Sequence, residues 1–173
     1  MSSPEKYPLD TVLSIKKKRF DQAMKTLEEK KAILEQAYEK LFNLSKERDE
    51  TLEHRTTKLT QLRESLDTGA ATDRIQQMRA YLKIVDQQLE EKEKKVAEQQ
   101  KVVDQAQKQV DLATQDLFQK KKDLEKLEIH KDEWSAEMRQ IVERKEASEQ
   151  DEQGAATYEI RKKQARRNQR DDS

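Results

Sequence analysis

Apolar residues recur through the second half of the chain at alternating intervals of three and four residues, without a slip from Ile75 to Ile141. Such a seven-residue repeat keeps one narrow stripe facing a partner helix and winds the helices into a left-handed supercoil. We therefore expect one long helix whose stripe packs against another helix. The stripe positions are Ile75, Met78, Leu82, Val85, Leu89, Lys92, Val96, Gln99, Val103, Ala106, Val110, Ala113, Leu117, Lys120, Leu124, Leu127, Lys131, Trp134, Met138 and Ile141.

A second stripe with the same repeat precedes the first. It is interrupted by a polar stretch at Ser45, Arg48 and Arg55, after which leucines resume the register. The pattern predicts a second long helix. Its predicted stripe positions are Leu13, Phe20, Leu27, Leu34 and Leu41, with Met24 and Tyr38 between them, and then Leu52, Leu59, Leu62 and Leu66.

The segment DTGAATD separates the two stripes. Gly69 suits a left-handed helix C-cap, and Thr72 or Asp73 can accept N–H bonds at the start of the next helix. Two long helices joined by a short loop fold back on each other, so the predicted fold is all-α, an antiparallel coiled-coil hairpin with an overhanging C-terminal helix or tail. The predicted regions are an N-terminal extension (1–8), a first arm (9–66), the loop (67–73), a second arm (74–153) and a basic, frayed or disordered tail (154–173).

The fold-back also predicts a register between the arms. If Leu66 lies opposite Ile75, the numbers of opposed residues add up to about 141. Charged residues within one stripe then face opposite charges on the other arm, which would specify the register at some cost in stability and favour a monomer over a parallel homodimer. The predicted pairs are Arg48 with Glu93, Arg55 with Asp86, and Lys92 with Asp49.

Composition narrows the class of protein. The chain is 42% charged and 32% hydrophobic, too little apolar material for a sizeable globular core but enough for a two-helix stripe. Basic and acidic residues number 36 each, so the overall charge does not favour nucleic acid or an anionic membrane. No apolar run approaches the length of a membrane span, and the first residues lack the apolar core of a signal peptide. We expect no membrane insertion.

Residue patterns that carry catalysis are absent from the sequence. There is no glycine-rich phosphate loop, no nucleophile elbow and no cluster with metal-ligand spacing. His54 and His130 are interpreted as isolated, solvated residues on charged helix faces. Carboxylates at helical spacing beside Lys and Arg form surface ion pairs rather than acid–base dyads. We expect no enzymatic activity and no cofactor or metal.

Apolar residues off the stripes indicate partner surfaces. The start of the first helix and the end of the second arm meet at the open tip of the hairpin, where Trp134 has no helix opposite it. The alternative is that residues 1–8 or the tail fold back over Trp134. The candidate residues at this tip are Leu9, Val12, Ile15, Lys16, Lys17, Arg19, Trp134 and Met138, and further exposed candidates are Tyr38, Phe42, Tyr81 and Ile84.

Three segments carry a resemblance to a known family. YPLDTVLSIKKKR near the N-terminus, MRAYLKIV after the loop and HKDEW late in the second arm resemble the YscO family, which is similar to flagellar FliJ. The resemblance extends from Tyr7 to about Gln153. It implies a non-enzymatic stalk of a bacterial type III secretion system, located in the cytoplasm at the cytoplasmic face of the apparatus.

The resemblance also implies partners. In FliJ-like proteins the tip with both chain ends enters the ring of the hexameric secretion ATPase, which corresponds here to the open-tip residues. Contacts with the export gate and with translocator chaperones are implied as well, and Tyr38, Phe42, Tyr81 and Ile84 are assigned to them on exposure alone.

Three other functions remain open. A chaperone-like clamp for secretion cargo would depend mostly on Tyr81 and Ile84 at the loop end. A purely structural spacer would be sensitive only along the stripes. Nucleic-acid binding through the basic tail would depend steeply on salt and would be lost on truncation after Gly154.

Overall fold

The computed structural model describes residues 6–171, with side chains described up to Asn168. It contains helix α1, Asp10–Asp67, of 58 residues and helix α2, Thr72–Asp171, of 100 residues. The described chain is all-α, and its helices form an antiparallel coiled-coil hairpin, as predicted. Residues 1–5 of the predicted extension and residues 172–173 of the predicted tail lie outside the described residues.

Contacts divide the described chain into two compact units. The terminal unit contains the residues up to Lys18 together with those from Lys121 onward, and the central unit is Arg19–Lys120. In each unit a segment of α1 packs against a segment of α2.

The α2 stripe is confirmed over almost its whole length. Every predicted position is buried or half-buried except Ile141, and Val85 and Val103 are only 1% exposed. Ile141 is exposed because α1 begins at Asp10, so no α1 residue lies opposite it in the register.

The α1 stripe was only partly predicted. Ala23 and Ala37 are buried between the large apolar residues, whereas Met24 and Tyr38 are exposed. The stripe therefore steps by three residues after Phe20 and Leu34, not by four. Further along α1 the buried and half-buried stripe positions again alternate between steps of three and four residues. As a result Leu52 and Leu66 are exposed. These stripe positions are Arg48, Thr51, Arg55, Lys58 and Leu62.

The predicted register is confirmed by the Arg55–Asp86 ion pair, which joins the two helices. The two other predicted pairs are wrong. Arg48 instead binds the adjacent carboxylate of Asp49 at 2.8 Å, a competitor that Arg55 lacks because Thr56 follows it.

Lys92 likewise has a different partner from the one predicted. Its amine donates to the hydroxyl of Thr51 at 2.9 Å, because Thr51 is buried in the α1 stripe whereas Asp49 points outward. The other polar residue in this part of α2, Gln99, donates its amide N–H to the carbonyl of Ala37 at 3.0 Å. Within the described residues, no buried side-chain nitrogen or oxygen lacks a hydrogen-bond partner.

The turn between the helices is built on Gly69. This residue has a positive φ of 71°, and the next residue, Ala70, donates to the carbonyl of Ser65 at 3.0 Å, as in a Schellman C-cap. Helix α2 then begins with the N–H of Ile75 donating to the carbonyl of Ala71 at 3.2 Å. Asp73 lies in the first turn, where the helix dipole favours a negative charge.

The two glycines are expected to respond oppositely to alanine. Gly69→Ala should destabilise the hairpin by about 1–2 kcal/mol, because a Cβ is strained at positive φ. Gly154→Ala should stabilise this part of α2 by about 1 kcal/mol, because Gly154 is helical and a Cβ there meets open space. Thermal unfolding followed by circular dichroism measures both, and equal melting curves for the two variants would contradict this assignment.

The predicted tail differs from the structure. Helix α2 continues through Gly154 to Asp171 without a break. One glycine costs a helix only about 1 kcal/mol, and good helix formers flank this one. From Ile141 to Asn168 every side chain is exposed.

Candidate functional site

The segment before α1 folds onto α2 in the terminal unit. Tyr7 is buried, its ring centroid lies 5.5 Å from that of Trp134, and its hydroxyl is hydrogen-bonded to Nδ1 of His130 at 2.6 Å. A turn in which the N–H of Asp10 donates to the carbonyl of Tyr7 at 3.1 Å sets this position. The amine of Lys131 lies 5.8 Å from the centre of the Tyr7 ring. We call this group, Tyr7, His130, Lys131 and Trp134, the aromatic clasp.

Two ion pairs support the clasp. Lys131 binds Asp10 at 2.9 Å, and Lys16 binds Asp123 at 3.4 Å. The hydrogen bond from Lys131 lowers the pKa of Asp10, and the same bond raises the pKa of Lys131. A lowered acid pKa means that the folded state favours the carboxylate, so this contribution is present at neutral pH and is lost as pH falls through the folded-state pKa of Asp10. On the basic side it is lost as pH rises through the raised pKa of Lys131.

The clasp changes the interpretation of the open tip. Trp134 was expected to have no helix opposite it, with a folded-back N-terminus as the alternative, and Tyr7 realises that alternative. Trp134 and Met138 are both half-buried. Because the indole ring already packs against Tyr7, it is not available as the centre of a surface that binds a partner.

One group of exposed apolar residues in the terminal unit lies at the start of α1. Leu9 is exposed, and Val12 and Ile15 are 40% and 45% exposed. Lys16 and Lys17 follow them directly in the helix. We call these five residues the tip patch. Its mixture of branched apolar side chains and cations suits a surface that offers an apolar pocket with a negative rim.

The last predicted member of the tip set, Arg19, belongs to the central unit and is exposed there.

A second polar and aromatic surface lies at the loop end of the central unit. The hydroxyl of Tyr81 is hydrogen-bonded to Nε2 of His54 at 3.0 Å, and the amine of Lys58 lies 5.8 Å from the Tyr81 ring centre. Ile84, one helical turn further, is exposed. A shallow hollow beside them is lined by Lys58, Gln61, Arg74, Gln77, Met78 and Tyr81.

Tyr38 and Phe42 form a separate exposed pair on α1 in the central unit. They lie one turn apart, and the Phe42 ring is among the most exposed apolar side chains described. Their exposure agrees with the sequence-based expectation, while a partner for them stays a prediction.

Sequence reasoning missed the roles of both histidines. His130 binds Tyr7 and His54 binds Tyr81, so neither histidine is isolated, although both are exposed as expected. The predicted register contained the necessary signal, since each tyrosine lies within about two helical turns of direct opposition to its histidine. Both pairs lie along the edges of the stripes, outside the repeat of apolar positions.

Among the described residues there is no group of three or more His, Cys, Asp or Glu side chains placed to hold a metal ion. Neither helix, within the part described, has a segment long and apolar enough to cross a membrane. The pKa shifts in the clasp arise from one exposed ion pair.

Comparison with known proteins places this hairpin among related chains. The model of the YscO-like protein family matches residues 4–164. The structure of a protein described as a YscO homologue from Chlamydia trachomatis is similar with a TM-score of 0.84 and 42% sequence identity, over 92% of this chain and 98% of that chain. Among curated protein sequences, none matches the chain.

Proposed function

Because the chain belongs to the YscO-like family, which associates it with type III secretion, we propose that it is a non-enzymatic stalk component of that system. In this proposal the tip patch binds the hexameric secretion ATPase, and another part of the hairpin contacts the export gate. The protein works in the bacterial cytoplasm, at the cytoplasmic face of the secretion apparatus.

The observation that supports this proposal is the tip patch itself. Val12 and Ile15 are branched apolar side chains held on a helix yet exposed to solvent, beside Lys16 and Lys17. A rigid helix loses little conformational freedom on binding, so these side chains can contribute most of their burial energy to a contact. Lys17 can orient the patch toward acidic residues at the rim of a pocket in the ATPase ring, while Lys16 pairs with Asp123.

The aromatic clasp supplies the rigidity that such a contact needs. Tyr7 lies three residues before the start of α1 and is fixed to α2 through His130 and Trp134. The ion pairs of Lys16 and Lys131 tie the first turns of α1 to the same helix. The tip patch is therefore presented on a braced helix end rather than on a fraying one.

A contact with translocator chaperones or the gate is supported by the loop-end surface. Tyr81, Ile84 and the hollow beside Lys58 and Arg74 combine an aromatic ring, an apolar side chain and cations. This composition suits an acidic partner helix with apolar anchors. A chaperone-like clamp would use the same surface to hold secretion cargo. Tyr38 and Phe42 are a second candidate area for such contacts.

The decisive experiment compares two matched double variants in a titration of the secretion ATPase. Val12→Ala with Ile15→Ala should weaken ATPase binding and stimulation about tenfold or more, since two apolar anchors are truncated. The control is Val102→Ala with Ile33→Ala, the same residue types at 51% and 52% exposure in the central unit. The control should behave as wild type.

Other outcomes distinguish the alternatives. If both variants stimulate the ATPase equally, the tip patch does not contact the ATPase. Absence of any ATPase binding, together with chaperone binding lost in Tyr81→Ala with Ile84→Ala, would favour the cargo clamp. Tolerance of all these surface changes in a secretion assay would favour a structural spacer.

A further inference from the structure

The last part of α2 is a long helix with no packing partner in the described chain. Every side chain from Ile141 to Asn168 is exposed, although the helix is continuous. Among the charged side chains described between Glu143 and Arg167, none forms an ion pair with another described side chain. A helix that is polar on all sides gains little from burial and is marginal by itself. A binding partner would therefore stabilise it. We call residues 141–168 the overhang.

Charges in the overhang are sorted into two blocks. From Glu146 onward the first block is acidic and the second is basic, and neither contains a charge of the opposite sign; Arg144 and Lys145 precede the acidic block, and Glu159 lies between the two. Since the helix rises about 1.5 Å per residue, the centres of the two blocks lie roughly 20 Å apart. The acidic block is Glu146, Glu149, Asp151 and Glu152, and the basic block is Arg161, Lys162, Lys163, Arg166 and Arg167.

We infer that the overhang binds a second copy of this chain, with the two helices antiparallel. A two-fold axis near Ala156 places the acidic block of each copy against the basic block of the other. Glu146 of one copy then lies beside Arg167 of the other, and Glu152 beside Arg161. Both contacts occur twice by symmetry, so the interface contains two pairs of blocks, and each pair joins an acidic block of one copy to a basic block of the other.

Small residues lie directly before the two-fold axis, and Thr157 and Tyr158 lie directly after it. Gly154, Ala155 and Ala156 follow one another there, and the space around Gly154 is open. Ala155 of one copy then lies beside Tyr158 of the other, so the small side chain leaves room for the ring. Ile160, exposed in the chain described here, lies within about one turn of the axis and becomes partly buried.

A second copy fits this surface better than an unrelated acidic partner does. An acidic helix long enough to cover the overhang would neutralise the basic block but would repel the acidic one. A parallel pair of copies would place like charges against each other. Only an antiparallel copy satisfies both blocks with the same sequence.

The interaction is electrostatic and exposed, so it is weak and sensitive to salt. The monomer expected from the complementary arms remains the main form at high ionic strength. This inference does not depend on the proposed ATPase contact, because it uses a different part of α2 and is tested on the purified protein alone.

Sedimentation equilibrium of the full chain tests the inference. Wild type should dimerise at about 20 mM salt, and its apparent Kd should rise about tenfold or more by about 500 mM salt. Variant A carries Glu146→Lys, Glu149→Lys and Glu152→Lys, and variant B carries Lys163→Glu, Arg166→Glu and Arg167→Glu. Each variant alone brings like charges together and should be monomeric.

Mixing the two variants should restore dimers, because each block of A then meets an opposite block of B. Lys101→Glu with Lys108→Glu, two exposed positions in the central unit, controls for net charge and should dimerise as wild type. Circular dichroism checks that helicity is kept. A wild type that stays monomeric at low salt, variants that dimerise alone as well as wild type, or a mixture that stays monomeric would each overturn the inference.

Discussion

Val103→Asp is expected to destabilise the central unit by about 3 kcal/mol or more. Val103 is 1% exposed in the stripe of α2, so the new carboxylate would be buried without a partner. The affected unit has little reserve, because a stripe of this kind buries only about two residues in seven. Urea unfolding followed by circular dichroism should show a much lower midpoint or a loss of helicity at once.

The chain contains a matched control one residue away. Val102 is 51% exposed, so Val102→Asp makes the same chemical change with the carboxylate in water. Its effect should stay within about 0.5 kcal/mol. Equal destabilisation by the two substitutions would mean that the stripe does not run through Val103, which would contradict the heptad register of α2.

Tyr7→Ala is expected to be the second most damaging change, at about 2–3 kcal/mol in the terminal unit. It removes a buried ring that packs on Trp134 and ends the hydrogen bond to His130. Trp134 is the only tryptophan in the chain, so its fluorescence reports on this unit specifically. The emission should shift to longer wavelength as water reaches the indole.

Tyr7→Phe separates packing from hydrogen bonding. It keeps the ring but loses the hydroxyl, so it should cost about 1 kcal/mol and leave the Trp134 emission nearly unchanged. If Tyr7→Ala also leaves both emission and stability as in wild type, the clasp does not hold the N-terminal segment on α2. Loss of ATPase stimulation in a clasp variant would have to be interpreted together with its stability.

The two arms differ in how well their pattern could be interpreted. In α2 almost every stripe position carries an apolar residue, so the interval of three and four is unambiguous. In α1, alanine at positions 23 and 37 competes with the neighbouring Met24 and Tyr38, which are larger and more hydrophobic. A pattern based on hydrophobicity selects the larger Met24 and Tyr38, whereas close packing of two helices favours the small alanines. Only packing against α2 resolves that choice.

Of the predicted ion pairs between the helices, one formed and another did not, because carboxylates on the same helix compete for the arginine. Arg55 and Arg48 occupy equivalent stripe positions, but only Arg48 has a carboxylate next to it on its own helix. A flexible guanidinium binds whichever acceptor it reaches with least loss of solvation, and pattern analysis does not rank acceptors on the same helix against those across the stripe.

The all-α hairpin, the stripe of α2 and the register that pairs Arg55 with Asp86 could all be predicted from the order of residues. These follow from helix periodicity and from a short glycine-containing loop, both of which are local properties of the chain. Three features could be learned only from the folded chain: Tyr7 covers Trp134, both histidines bind tyrosines, and α2 continues helically through Gly154. Side chains at the edges of the stripes and at the chain ends have several partners within reach, and non-local contacts select among them because the local preferences are nearly equal in energy.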